Sequence, residues 1–437
     1  MKRRTALILW LVAIAAAVRL VFLYGTNPWT SPDSIQYMAV ARQIANHDFS
    51  DYTGARSPGF PFLLLVCGQS PRVIRFVQCG LGILTCLVLF KLGFRLTADD
   101  GMAFWVGLSH AVALNQILLE GYLMPEAIST LLVVLSVYMV VRLMDAANGG
   151  VFMYVCLGVA AAYAGLIRPN LAVLPLVYLP FLVIGWNRPT WFPPKRILGT
   201  AVFLLVWIAP MVGWSIFNKW TVGHFGLTTM VGYSLIQHTG GFIEKAPDEY
   251  STVKRIFLPT REKEIQRTGH HSRTIFGLEK TLMRETKLST VDLDRLLTRM
   301  SLTLIAEYPL LYLSSVFDAW VNFWRVSKFG IQAWSSETAG RQFMLFVFWV
   351  EVVCLVVING LFLLLPTIFL IRLRRGDECS SPSQLLIITT VLSASILQAA
   401  TVYGDSPRYA LPFQPLICAA VFACLYRLGH WWRTRNP

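Results

Sequence analysis

Apolar runs of about twenty residues recur along this chain, separated by short polar turns and by one long polar stretch. A helix crossing a hydrocarbon layer needs about 20 mostly apolar residues. That length picks out ten runs, 6–24, 72–94, 101–119, 126–144, 151–167, 171–186, 197–217, 343–371, 384–402 and 409–428. Two further stretches are apolar without fitting that pattern. Residues 62–68 are too few to cross and read as a segment that dips into the membrane against protein. Residues 301–325 carry Glu307, Pro309 and Asp318 and end in Trp320, Phe323 and Trp324. They read as one helix lying in the membrane interface, where tryptophan is comfortable. The part from 219 to 299 mixes both charge signs, contains Gly240-Gly241 and His270-His271, and shows no long periodicity. It predicts a small helical subdomain or loops.

Composition agrees with the runs. Of 437 residues, 55% are hydrophobic and only 14% charged, where a soluble domain is charged at roughly a quarter of its positions. The expected fold class is an all-α polytopic membrane protein of about ten transmembrane helices with helical outer loops. A net charge of +14 need not mean nucleic acid, because cytoplasmic loops collect Lys and Arg. With the N-terminus inside, the inner flanks hold Lys2, Arg3, Arg4, Lys91, Arg95, Arg142, Arg188, Lys195, Arg196, Arg372, Arg374, Arg375, Arg427, Arg433 and Arg435. The short outer flanks hold only Arg42, Arg56, Arg72, Arg75, Arg168 and Arg408. This places both termini in the cytoplasm and 218–342 outside; counting 301–325 as a span would move Arg372-Leu373-Arg374-Arg375 to the wrong side. The expected location is the bacterial inner (cytoplasmic) membrane. The start has a basic end and an Ala run, but its apolar stretch continues past Arg19 to Tyr24, which suits an uncleaved signal anchor. The division is then 1–217, a membrane part with an outer loop at 25–71; 218–342, an outer region; and 343–437, a second membrane part. None of the eight cysteines falls in 218–342 and no CxxC pair occurs, so disulfides and a zinc-thiolate site are not expected.

The loop 31–61 carries the densest chemistry. Ser31-Pro32 reads as a helix start, with a capping hydroxyl and a proline at the first helical position. Asp33 follows in the first turn, where the helix dipole favours its ionised form, and Gln36 and Tyr37 share its face. His47, Asp48 and Asp51 come next, then Arg56 beside Ser57-Pro58-Gly59-Phe60-Pro61. Polar groups recur at the same edge of the membrane: Glu120 and Glu126, Arg168 with Pro169 and Asn170, and Asp405, Arg408 and Tyr409. Charges there are costly and need a reason.

The pattern resembles the GT-C superfamily of membrane glycosyltransferases, which includes protein O-mannosyltransferases and the lipid A aminoarabinose transferase. The matching parts are Pro32-Asp33-Ser34-Ile35-Gln36-Tyr37, Arg56-Ser57-Pro58-Gly59-Phe60-Pro61, Met124-Pro125-Glu126, Gly165-Leu166-Ile167-Arg168-Pro169, and Pro407-Arg408-Tyr409-Ala410-Leu411-Pro412. Many members have Asp-Glu where this chain has Asp33-Ser34, and 218–342 matches no part of that pattern. The resemblance implies transfer of a sugar from a polyprenyl-phosphate carrier to a lipid, glycan or protein acceptor at the outer face. Asp33 is then the candidate base. Tyr37, Arg56, Glu126, Arg168, Arg408 and Tyr409 are candidate substrate-binding residues. Membrane lipids are partners, nucleic acid is not, and a divalent metal ion is a candidate cofactor, with Glu126, His47, Asp48 or Asp51 as candidate ligands. A phosphate leaving group needs no general acid; it needs a base for the acceptor hydroxyl and cations for the growing charge. Direct attack implies inversion at the anomeric carbon. Two other classes compete: a transporter or flippase of a lipid-linked sugar, marked by charges at mid-membrane depth, and an assembly partner that binds protein through 218–342.

Overall fold

The apolar runs fold as helices in a computed structural model of the chain, which describes residues 2–145, 150–184, 193–328, 331, 341–374, 381–403 and 406–435. In order these are α1 (Lys2–Gly25), α2 (Pro32–Asn46), α3 (Gly59–Val66), α4 (Pro71–Thr97), α5 (Asp100–Ala111), α6 (Leu114–Glu120), α7 (Glu126–Asp145), α8 (Val151–Ile167), α9 (Leu179–Val183) and α10 (Pro194–Val222). They continue as α11 (Val231–Thr239), α12 (Ser251–Thr268), α13 (Thr274–Thr286), α14 (Thr290–Glu307), α15 (Pro309–Phe323), α16 (Arg341–Arg374), α17 (Pro382–Thr401), α18 (Ser406–Tyr409) and α19 (Gln414–Arg435). The described residues form no strand; one isolated bridge joins Trp29 to Tyr122.

Among the described residues seven helices are long and apolar enough to cross a membrane, or nine if each of two bent pairs counts as one span. The expected ten is not confirmed. The run 151–167 is a helix, α8, but at 17 residues it falls just short of that length, and the other differences have local causes. The described part of the run 171–186, up to residue 184, is not a helix of membrane length. It is two short 3-10 turns, Pro169–Leu171 and Leu174–Tyr178, followed by α9, because Pro169, Pro175 and Pro180 each remove a backbone donor and clash with the preceding turn. The run 101–119 bends by 51° between α5 and α6. There the freed backbone N–H of Asn115 donates to the Glu351 carboxylate of α16, at 3.1 and 3.3 Å. The stretch 301–325 is not one interfacial helix either, since α14 and α15 meet at 107° where Pro309 starts the second. Residues 59–66 form the short α3. Arg188, Arg375, Cys379 and Asp405 lie outside the described residues.

Helix ends inside a membrane protein must have their carbonyls satisfied, and arginines from neighbouring helices do much of this. Arg75 donates to Phe22 O at 2.7 Å and Thr26 O at 2.5 Å, closing α1. Arg196 donates to Leu143 O and Met144 O, closing α7, and Arg427 reaches Leu96 O at 2.6 Å, beside the end of α4. Arg19 lies buried within the first apolar helix and makes a bidentate pair with Glu120, at 2.7 and 2.8 Å. The membrane helices share one large apolar core, built mainly from α3, α4, α7, α8, α17 and α19.

The mixed-charge stretch is helical and has its own core, in which Tyr233, Ile236, Phe257, Leu278, Leu282, Leu297 and Leu304 are buried. Tyr312 of α15 packs against this core and its hydroxyl donates to Ala400 O of α17 at 2.6 Å. Tyr403 packs against the rings of both His238 and His271, with centroids 5.5 and 5.3 Å away. His270 is solvent-exposed.

Candidate functional site

Five charged side chains from five separate places in the sequence meet at one end of the helical bundle. Asp33 is set by its helix start: Ser31 caps α2 reciprocally with Ser34, and Pro32 stands at the head of the helix. The helix stops at His47, which adopts the left-handed conformation with φ 54°, and the chain folds back so that Arg56 faces Asp33. Arg56 Nη2 donates to Asp33 Oδ1 at 2.5 Å, and its Nε donates to Gln36 Oε1 at 2.8 Å.

The return loop is fixed from two sides. Tyr52 Oη lies 3.1 Å from both Arg56 O and Asn218 Oδ1. Gly59 lies so close to the chain at Leu166 and Ile167 that a Cβ there would stand 2.6 Å from their backbone atoms. Tyr163 donates to Gly59 O at 3.0 Å. The Arg56 loop is thereby pressed against the turn carrying Arg168.

Glu126 opens α7, after a crossing segment held in place from both edges. Gln78 donates to Glu120 O at 2.9 Å and Tyr122 O at 2.7 Å, while Trp29 N donates to Gly121 O and Leu123 N to Trp29 O. Arg168 ends α8 in an extended conformation, and one of its Nη atoms donates to Glu126 Oε1. Arg408, on α18, donates to Asp33 Oδ2 at 3.1 Å and places its Nε 3.4 Å from Glu126 Oε1. The order in space is therefore Arg56, Asp33, Arg408, Glu126, Arg168. Tyr37 lies under Arg56, with its ring centroid 4.9 Å from the guanidinium carbon. Tyr409 lies between Arg168 and Arg408, at 5.2 and 5.5 Å.

The row is graded in exposure. Asp33 and Arg56 keep about a quarter of their side-chain surface open, at 26% and 23%, whereas Glu126 is at 0% and Arg168 at 6%. Burial pushes the Asp33 carboxyl up, but Arg56 and Arg408 outweigh it and hold the group below the usual carboxylate range. Burial also pushes the Tyr37 hydroxyl up, against the pull of Arg56 and Arg168. At the floor, Glu126 Oε2 and Arg168 Nε and Nη1 are buried without a hydrogen-bond partner. Such atoms cost about 1–3 kcal/mol each when left unsatisfied, more when charged.

All seven candidate residues, Asp33, Tyr37, Arg56, Glu126, Arg168, Arg408 and Tyr409, thus fall in one cluster. His47 and Asp48 do not join it: His47 caps α2, and Asp48 is exposed and accepts from Ser50 N. Gln36 and Gly59 belong to its framework, although sequence alone gives Gln36 only a shared helix face and Gly59 only a place beside Arg56. Among the described residues no group of three or more His, Cys, Asp and Glu is placed to hold a metal ion.

Residues 60–214, about a third of the chain, match the family described as dolichyl-phosphate-mannose-protein mannosyltransferase. The match includes Glu126 and Arg168 but not Asp33, Arg56 or Arg408. No curated protein matches the chain in sequence. In fold it is similar to the Archaeoglobus fulgidus oligosaccharyltransferase in its apo form, at TM-score 0.51 and 11% identity, over 99% of this chain and 52% of that one. The AglB enzyme from the same organism, in complex with an inhibitory peptide and a dolichol-phosphate, gives TM-score 0.51 and 12% identity over 99% and 51%. The chain thus spans about half the length of these oligosaccharyltransferases. ArnT from Cupriavidus metallidurans bound to undecaprenyl phosphate gives 15% identity over 94% and 78%, at a TM-score of 0.39. The resemblance to the GT-C superfamily read from the motifs is borne out by the family match and by the shared fold.

Proposed function

We propose that this chain, a membrane protein with the fold of the GT-C glycosyltransferases, transfers a sugar from a polyprenyl-phosphate carrier to a hydroxyl acceptor, with Asp33 as general base. The observation that carries the reading is the row of three arginines and two carboxylates with unsatisfied guanidinium N–H groups at its buried end. A phosphate satisfies such donors well, because a guanidinium grips two of its oxygens at once.

The row also accounts for how a base held this low could act. Both Asp33 oxygens accept from arginines, one from Arg56 and one from Arg408. An arriving phosphate competes for the same two arginines, so its binding releases Asp33 and restores part of its basicity. Asp33 then takes the acceptor proton as the hydroxyl attacks the anomeric carbon. The carbon–oxygen bond to the phosphate breaks, and the arginines hold the developing dianion. One displacement inverts the anomeric centre.

Tyr37 and Tyr409 brace the guanidinium planes. A divalent ion fits this donor set poorly, since Asp33 and Glu126 are its only carboxylates among the described residues and both already face arginines. The charge bias of the flanking loops supports an outer, periplasmic location for this end of the bundle, with both termini in the cytoplasm.

A flippase reading has less support. The intramembrane charges it would use have protein partners, Arg19 with Glu120 and Glu351 with the Asn115 amide. The test is mass spectrometry of lipid extracted from the purified protein. A co-purifying polyprenyl-phosphate sugar is expected, and its absence after mild extraction from sugar-producing cells would count against the reading.

A further inference from the structure

We infer that α15 is a re-entrant membrane helix, entering beside α17 and ending near mid-membrane depth, and that lipid acyl chains cover its outer stripe of Leu310, Leu313, Phe317 and Val321. The depth follows from what α15 touches along its length. At its start, Tyr312 donates to Ala400 O, one residue short of the end of α17. Two turns later, Trp320 Nε1 donates to Ser395 Oγ at 3.0 Å. Residues eight apart on α15 therefore meet residues five apart on α17 in the opposite sense, and the helix descends beside the span by about 7 Å over that interval, at 1.5 Å per residue. Immediately past its end, the ring of Trp324 stacks on Phe362 at 5.8 Å, and the Trp324 carbonyl accepts from Asn359 Nδ2 at 2.9 Å. Asn359 lies near the middle of the 342–371 apolar run, is 4% exposed, and is itself held by Gln414 at 3.1 Å.

This side-chain cap is what a helix ending at such depth requires. No water is available there for its last carbonyls, so the protein must supply the donor. A helix ending in the aqueous layer would need no buried asparagine from the centre of a span.

The outer surface of α15 fits the same placement. Leu310 is 78% exposed, Leu313 57%, Phe317 62% and Val321 38%. Spaced three or four apart, they form one continuous stripe. Asp318 is the sole charged residue of the helix and lies at the stripe's edge. The opposite side of α15 packs on the bundle, with Ala319 and Phe323 buried and Phe323 6.5 Å from the Phe413 ring. An apolar stripe continuous with a span and free of charge along its middle is the surface that hydrocarbon covers.

The test places an environment-sensitive fluorescent amino acid, by codon suppression, at Leu313, Phe317 or Val321 in the full-length protein. Phe276, 53% exposed on α13, serves as the aqueous control. Each variant is reconstituted in phosphatidylcholine nanodiscs with or without mid-chain bromination, and iodide is titrated from the aqueous side. Probes at Phe317 and Val321 should lose most of their emission to brominated lipid and little to iodide, with the lipid effect rising from 313 to 321. The Phe276 probe should do the reverse. Iodide quenching at Phe317 without lipid quenching would overturn the inference. Protection from both quenchers would also overturn it, because a protein surface, such as a second copy, would then cover the stripe. Replacing Asn359 with Leu, with the Val321 probe in place, checks the cap. That probe should move outward, gaining iodide quenching, and an unchanged response would remove Asn359 as the anchor.

Discussion

Removing the charge of Glu126 isolates what the buried end of the site contributes. Its carboxylate has no solvent exposure, accepts from Arg168 and lies 3.4 Å from Arg408 Nε. Glu126→Gln therefore leaves the buried Arg168 side chain, 6% exposed, with an uncompensated charge. Breaking a buried pair from one side costs about 3–5 kcal/mol. Arg408 retains Asp33 and should add little to the loss. Arg168→Met alone strands Glu126, but Arg408 still faces that carboxylate, so its loss should fall at the low end of the same range. The double variant removes both charges, and replacing a whole buried pair by neutral groups is often close to neutral. The assay is equilibrium unfolding in mixed micelles of increasing SDS fraction, followed by tryptophan fluorescence, for wild type, both singles and the double. A double variant more stable than either single is expected. Losses that add within about 0.5 kcal/mol, as for independent sites, would refute the pairing.

The remaining predictions concern the open end of the site and its supports. Arg408→Lys keeps the charge but loses the planar fork, so transfer should fall while the protein inserts normally; full activity in Arg408→Ala would leave Arg408 without a role in transfer. Gly59→Ala drives a Cβ into the backbone at Leu166 and Ile167, which should cost about 1–3 kcal/mol and lower transfer although no charged group is lost; wild-type values for both would show that the loop is not held there. Because the Asp33 carboxyl is depressed in the folded state, its stabilising contribution is present above the ordinary carboxylate pKa and lost as pH falls through the depressed value. The stability difference between wild type and Asp33→Asn should thus stay constant near neutral pH and shrink only in acid; shrinkage near neutrality would contradict the clamp. For topology, a cysteine at the exposed His270 should react with a membrane-impermeant maleimide in intact cells given outer-membrane access, against the unmodified chain as control, and labelling only after lysis would reverse the orientation.

The long helices were legible because a run of about twenty apolar residues has few other solutions. The failures are local and physical. Pro169, Pro175 and Pro180 break 171–186 at spacings a hydropathy window averages away. The bend at Val112 and Ala113 has no proline or glycine; it is held by Glu351, 236 residues further on, and so cannot be read locally. Pro309 was visible, yet its consequence depended on which surfaces α14 and α15 bury. In the site, the helix start at Ser31-Pro32-Asp33 was readable from capping chemistry alone. The meeting of Asp33 with Arg408, 375 positions apart, was not; it came from the order of five motifs resembling a known superfamily. Arg19 lies within an apolar run and Glu120 at the membrane edge, but nothing in their spacing announces the bidentate pair.

The central claim is that Asp33 serves as the base of a sugar transfer, and Asp33→Asn tests it most directly. Asparagine keeps the shape but cannot accept the acceptor proton, whereas in the proposed reaction the arginines bind the donor phosphate. Purified wild type and variant in nanodiscs are each given a polyprenyl-phosphate sugar and a crude acceptor fraction. Donor binding and the mass of the acceptor are then measured. The expected result is retained donor binding, with product formation reduced by about 10²–10⁴, the usual loss when a general base is removed. Equal transfer by wild type and Asp33→Asn would remove Asp33 from the chemistry. Movement of the lipid between leaflets with every acceptor unmodified, even by wild type, would contradict the transferase itself.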